Sequence, residues 1–194
     1  MRSGTIHRTT AETDIGIELL LDDSSIRSIE TGIAMLDHLL LAFAFHARIG
    51  CRIRARSLDN IRHHVVEDTA IALGQALDAA LGQRTGIVRY GETTVPMDDA
   101  LVRAAVDVGG RSYARTALDL AQERIEDLES TFVPHVFASF AQHARLTLHV
   151  DRLAGHDPHH VVEAAFKAVA RACAQAWAID PAAATVIAST KGRY

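Results

Sequence analysis

The string HHVVE occurs twice in this chain, as His63-His64-Val65-Val66-Glu67 and as His159-His160-Val161-Val162-Glu163. Two adjacent imidazoles followed at helical spacing by a carboxylate are the ingredients of a metal site. On a helix, Glu67 shares a face with His63 at i+4 or with His64 at i+3. The two rings of a pair point roughly 100° apart on a 3.6-residue turn, which favours giving each ring to a different ion. Each pair has an upstream histidine, His38 in Leu36-Asp37-His38-Leu39 and His135. Imidazole with carboxylate and no thiolate suits manganese, iron, zinc or nickel, and six-coordinate manganese fits the mixed set best. The candidate metal ligands are therefore His38, His63, His64, Glu67, His135, His159, His160 and Glu163.

A second set of residues is cationic. Arg89-Tyr90-Gly91, Gly109-Gly110-Arg111 and Ser189-Thr190-Lys191-Gly192 are each compatible with an oxyanion: arginine offers a planar fork to phosphate and lysine a point charge. Lys167, four residues after Glu163, is either a helix ion pair or a site residue.

The repeat extends beyond the motif. His46-Ala47-Arg48-Ile49 is echoed by His143-Ala144-Arg145-Leu146, 97 positions on, the spacing that also separates His38 from His135; the HHVVE copies lie 96 apart. Copies of this length are too long for solenoid units and read as a duplicated half-domain. Alternation predicts strands over 5–10 (an edge), 15–21, 48–57 and 113–120, and over 87–96 and 100–108 about a Pro96-Met97-Asp98-Asp99 corner, the second of which also suits a helix. A helix is expected over 33–47. Asp59 or Asn60 is expected to cap the helix carrying the first HHVVE, with Val65, Ala72, Leu73, Ala76, Leu77 and Ala80 as its buried stripe and Gly82 and Gly86 ending it. Ser130 or Thr131 is expected to cap a helix through His143, followed by a strand over 146–150 and a helix from 159 to about 178. Two sheets, each with helices on one face, bury these stripes: an α+β architecture.

The 194 residues make one domain of two halves, approximately 1–95 and 96–190, with a tail over 188–194. A net charge of −4 offers no basic field for nucleic acid. Cys51 and Cys173 suggest no disulfide framework. No signal-peptide core or membrane-length apolar run is present, so a cytoplasmic location is expected.

The blocks TGIAMLDHLL, HHVVEDTAIALGQAL, RYGETTVPMDDAL, VGGRSY, HHVVEAAFKAVARA and STKG, in this order, resemble the imidazoleglycerol-phosphate dehydratase family over nearly the whole chain. The resemblance implies a ribosomal protein S5 domain 2-like half-fold. It implies dehydration of imidazoleglycerol phosphate to imidazole acetol phosphate in histidine biosynthesis, with two manganese ions binding the substrate as imidazolate. It also implies a homo-oligomeric shell of twenty-four chains with sites between subunits. In it the eight residues above are metal ligands. Arg89, Arg111, Ser189 and Lys191 grip the phosphate with Lys167 nearby, and Glu12, His46 and one metal-bound carboxylate, Glu67 or Glu163, serve substrate contact and proton transfer. Leu41-Ala42, Phe45, Ala47, Arg62, Pro134, Asp157 and Ala188 depart from the family pattern; Ala42 stands for a glutamine that touches substrate. The alternatives are a divergent relative acting on another phosphorylated imidazole, or a noncatalytic metal-binding shell protein.

Overall fold

A computed structural model describes residues 1–192 of the chain. Its first half runs β1 (Ser3–Thr9), β2 (Thr13–Leu20), β3 (Arg27–Glu30), α1 (Ala34–His46), β4 (Gly50–Ser57) and α2 (Arg62–Leu81). The second repeats that order: β5 (Tyr90–Met97), β6 (Ala100–Asp107), β7 (Tyr113–Ala117), the short hairpin β8 (Arg124–Ile125) and β9 (Leu128–Glu129), α3 (Phe132–His143), β10 (Thr147–Ala154) and α4 (Pro158–Ala176). The two main sheets have matching orders, β1-β2-β4-β3 and β5-β6-β10-β7, each antiparallel except for its last pair. The two β-α-β crossovers, β3-α1-β4 and β7-α3-β10, account for those parallel pairs.

Alternation decides which sheet face is covered. Ile15, Ile17 and Leu19 of β2 and Val102, Ala104 and Val106 of β6 point inward and are buried, while Arg52 and Arg54 of β4 face water. The possibility that 100–108 forms a helix is thereby settled in favour of a strand. Helix α2 lies on β1 and β2, and α4 lies on β5 and β6; α2 meets α3, and α1 meets α4. The layers are thus sheet, helix pair, helix pair, sheet, with one continuous apolar core. The rings of Phe43 on α1 and Phe140 on α3 meet edge to face across the halves at 5.7 Å.

Glycine at two equivalent strand positions makes this packing possible. A Cβ on Gly4 would lie 2.0 Å from the Ala76 carbonyl oxygen, and one on Gly91 would lie 1.9 Å from that of Ala172. Each helix therefore rests directly on its sheet's first strand.

Some details differ from expectation. Strand β3 and the β8–β9 hairpin are too short for periodicity to reveal. The N-cap of α2 is Ile61 with no side-chain cap; Asp59 accepts from the Ile61 N–H instead, at 2.8 Å. Thr131 occupies the N-cap of α3 without capping it, and the Ser130 hydroxyl donates to the Gln122 carbonyl. Gly82, at φ 52°, ends α2, whereas Gly86 lies beyond it in an isolated pairing with the C-terminal segment. The expected stripe of α2 is buried throughout.

Candidate active site

The helix pairs bring the histidines together across the repeat. His38 of α1 does not meet the first HHVVE; its Nε2 lies 2.9 Å from Glu163 Oε2 on α4, and His159 Nε2 lies 3.3 Å from the same oxygen. Reciprocally, the ring of His135 on α3 sits 5.5 Å from that of His63 on α2, whose Nε2 is 3.5 Å from Glu67 Oε2. Each half thus lends its upstream histidine to the other half's motif, because α1 packs on α4 and α3 on α2.

The second histidine of each pair turns elsewhere, with ring centroids 6.2 Å from the first in both motifs. His64 Nδ1 meets Asp59 at 2.6 Å and Glu12 at 3.8 Å. His160 Nδ1 meets Asp99 at 2.8 Å, and its Nε2 meets Asp98 at 3.4 Å. These contacts raise both histidines, through the Asp59 and Asp99 hydrogen bonds first. Asp99 is held far below the usual carboxylate range by the His156 N–H, by His160 and by the Asp157 N–H.

Two donor groups can each close on one ion: His38, His159 and Glu163, and Glu12, Asp59 and His64, the donor atoms of each lying within 4.8 Å of one another. Neutral imidazole with carboxylate, without sulfur, fits a borderline or hard divalent metal. Glu163 is 7% exposed. Burial would raise its pKa, but hydrogen bonds from His38 and Lys167, and their charges, hold it at about 2. It is a carboxylate at neutral pH. Lys167 Nζ lies 2.8 Å from Glu163 Oε1 and 3.6 Å from Met97 Sδ, so it is both an ion pair and a neighbour of the metal-capable cluster.

Arg89, Arg111, Ser189 and Lys191 line one cavity of about 860 Å³ with Tyr90 and Gly109. Asp107 orders it: Arg89 Nε and Nη2 donate to its two oxygens at 2.7 and 3.0 Å, and Arg111 Nη2 stands 3.5 Å away. A Cβ on Gly109 would come within 2.6 Å of Asp107 Oδ1 and 2.9 Å of Arg89 Nη2, so glycine keeps this fork in place. The part of the expected tail over 193–194 lies outside the described residues.

His46 stands apart from both groups. Two turns beyond His38 on α1, it lines a separate cavity with Arg48 and Arg171. Burial first, then the charges of Lys167 and Arg171, push its imidazole down.

The departures from the family pattern have defined surroundings. Leu41 and Phe45 are exposed on α1, and Phe45 lies under the Arg27 guanidinium. Ala42 is half-buried, and Ala47 is the buried C-cap of α1. Arg62 pairs with Asp127 at 3.2 Å, and Asp127 in turn accepts from the Ala34 and Met35 N–H groups at the start of α1. Pro134 sits in the first turn of α3, where its missing N–H is not needed. Asp157 caps α4. Ala188 meets Arg89 Nη1 with its carbonyl at 2.6 Å, a contact independent of side chain.

Reasoning from sequence missed Asp59 as a histidine partner, and Asp99, Asp107, Glu126 and Asp127. Asp99 has a signal, since it occupies the β5–β6 turn as Glu12 precedes β2 in the β1–β2 turn. Glu126, at φ 53° in the β8–β9 turn and 3.5 Å from His159, has none.

Residues 31–173 match the family model for imidazoleglycerol-phosphate dehydratase. The imidazoleglycerol-phosphate dehydratase of Dinoroseobacter shibae is 48% identical over 99% of both chains, and that of Salinibacter ruber is 45% identical over 98% of this chain and 95% of its own. The crystal structure of the Staphylococcus aureus dehydratase aligns with TM-score 0.84 at 34% identity, covering 92% of this chain and 99% of that one. The one from Pyrococcus furiosus does so with TM-score 0.84 at 35%, covering 97% and 100%. Fold and site together define a carbon–oxygen lyase of amino-acid biosynthesis. The chain belongs to the imidazoleglycerol-phosphate dehydratase family.

Proposed function

We propose that the chain dehydrates D-erythro-imidazole-glycerol 3-phosphate to imidazole acetol phosphate in histidine biosynthesis. The observation that carries this reading is the convergence of four phosphate-seeking residues, Arg89, Arg111, Ser189 and Lys191, on one cavity of a molecule that also gathers imidazole and carboxylate donors. His38, His63, His64, Glu67, His135, His159, His160 and Glu163 hold two manganese ions per active site. When bound, those ions supply positive charge that favours the imidazolate form of the substrate ring.

The chain's own residues do the rest. The Arg89–Asp107–Arg111 fork fixes the phosphate end and so sets how far the ring reaches. Lys167 keeps Glu163 ionised. Glu12, exposed at the β1–β2 turn beside His64, takes the proton from the side-chain carbon, which has no neighbouring carbonyl to acidify it, while the hydroxyl on the carbon next to the ring breaks away and leaves with a proton as water; the enol so formed tautomerises to the ketone. Within one chain the group formed by His38, His159 and Glu163 supplies three ligands, fewer than six-coordinate manganese takes. This supports a homo-oligomer, a shell of twenty-four copies, in which sites lie between subunits. The two halves, approximately 1–95 and 96–190, act as one domain, with the tail over 188–194 closing the phosphate cavity. No helix among the described residues is long and apolar enough to cross a membrane, and a cytoplasmic location belongs to the same reading.

Manganese-loaded protein given the substrate should release imidazole acetol phosphate, and its persistent absence would overturn the proposal. Glu12→Gln should lower turnover while leaving metal content unchanged. Loss of metal in that variant would instead make Glu12 a ligand.

A further inference from the structure

The cavity holding His46 lies where α1 and α4 end, and no residue of this chain's metal groups or of its Arg89–Asp107–Arg111 fork lines it. It measures about 440 Å³ and is lined by Arg2, His46, Arg48, Arg171, Gln175 and Trp177 among others. We propose that this cavity binds a small oxyanion, gripped by the guanidinium groups of Arg48 and Arg171.

The duplicated half provides an internal comparison. Arg145 is the counterpart of Arg48, and both adopt the left-handed backbone that ends the preceding helix, at φ 52° and 58°. In that half Asp78 of α2 faces the arginine: its carboxylate lies 4.0 Å from Arg145 Nη1 and pairs with Arg84. Arg84, 3% exposed, also donates to the Ala144 carbonyl at 2.9 Å and so fills the space. Along α4 the register of the repeated motif puts Ala174 where Asp78 stands and Arg171 where Gln75 stands. The carboxylate is gone, a cation has been added, and an open cavity takes the place of the buried Arg84.

Nothing in the described chain restores the balance. Arg2 is already committed, to Asp22 at 2.6 Å and to the Trp177 carbonyl at 2.6 Å. Among the described residues, the guanidinium groups of Arg48 and Arg171 have neither a carboxylate nor another hydrogen-bond partner. The neighbouring imidazole responds to this field, being depressed partly by Arg171. The C-terminal ends of the helices oppose an anion by about half a unit charge each, against two full guanidinium charges with forked donors suited to carboxylate or phosphate. The anion would stand where Asp78 stands in the other half.

The test is calorimetric titration of the full-length protein with inorganic phosphate and, separately, with acetate, in four forms. Wild type should show two classes of phosphate site, one of which disappears in Arg111→Ala. Arg48→Ala/Arg171→Ala should lose the other, weakening it by at least about tenfold. Ala174→Asp, which places a carboxylate in the chain itself, should abolish the same class and raise the melting temperature. Acetate competing at this class identifies the determinant as any oxyanion, and acetate that does not compete restricts it to phosphate. A single phosphate class in wild type, or a second class untouched by either the double variant or Ala174→Asp, overturns the proposal.

Discussion

In the groove between α1 and α4, Glu163 is 7% exposed and gripped by His38 and Lys167. In the groove between α2 and α3 its counterpart Glu67 has a side chain 42% exposed, and Ile71 stands where Lys167 does. The backbones of the two grooves repeat because packing demands it, as the paired close approaches at Gly4 and Gly91 require. The charges do not repeat, because packing does not constrain them. Duplication preserved the scaffold and left the two donor sets free to diverge: one is pre-organised by a buried ion pair, the other is open to solvent. The β8–β9 hairpin adds to the difference, since its Glu126 carboxylate reaches His159 in the α1–α4 groove, while its Asp127 carboxylate spans the start of α1 and Arg62 at the start of α2.

The largest effects should come from the carboxylates. Glu163→Gln should weaken manganese binding by more than about 100-fold, since even residues that only orient ligands commonly account for 10–100-fold. Glu67→Gln should cost less in one-chain affinity, because its site is less enclosed. Metal titrations of the two variants that superimpose would break the contrast drawn between the grooves.

The close approaches predict the opposite pattern, equality. Gly4→Ala and Gly91→Ala should each lower stability by about 1–3 kcal/mol, because a methyl group must displace a helix carbonyl. Gly16→Ala, whose added Cβ meets nothing nearer than a His7 ring carbon at 4.0 Å, should cost far less. Thermal unfolding of the three variants decides this. Unequal costs at Gly4 and Gly91 would mean that one half carries more of the fold.

Acid should separate the grooves as well. Glu163 is held at about 2, below its ordinary 4.5, so its contribution is fully present above pH 4.5 and is lost as pH falls toward 2. Chelated wild type should therefore lose more stability across that window than chelated Glu163→Gln, as followed by acid titration of the fold. Parallel curves would show that the buried pair does not hold the α1–α4 groove.

Much of this was legible from spacing. The HHVVE repeat announced a duplicated α+β unit, and its two histidines do turn to different neighbours. Reading the buried stripe of α2 needed only helical periodicity. What spacing could not reveal was the exchange of His38 and His135 between halves, because helix-to-helix packing across the core sets it. The roles of Asp107 and Asp127 were likewise hidden, since each acts through a partner 18 or more residues away, Arg89 and the start of α1. Strands of two to four residues, such as β3, carry too little alternation to be seen.

The smallest effect concerns how each motif helix begins. Asp157 accepts from the His159 and His160 N–H groups and caps α4, whereas Ile61 at the matching position of α2 caps nothing and is 46% exposed. Its φ of −96° and ψ of 112° already suit a capping residue. Ile61→Asp should therefore stabilise the protein by about 1 kcal/mol, raising the melting temperature by roughly 2–4 °C for a chain of this size, and Asp157→Ala should lose a similar amount. The gain comes from amide donors at the first turn of α2 that no side chain caps, the same donors that position His63 and His64. If Ile61→Asp gives no gain, Asp59 is already serving this end from two residues upstream, and the two motif helices are equally well anchored.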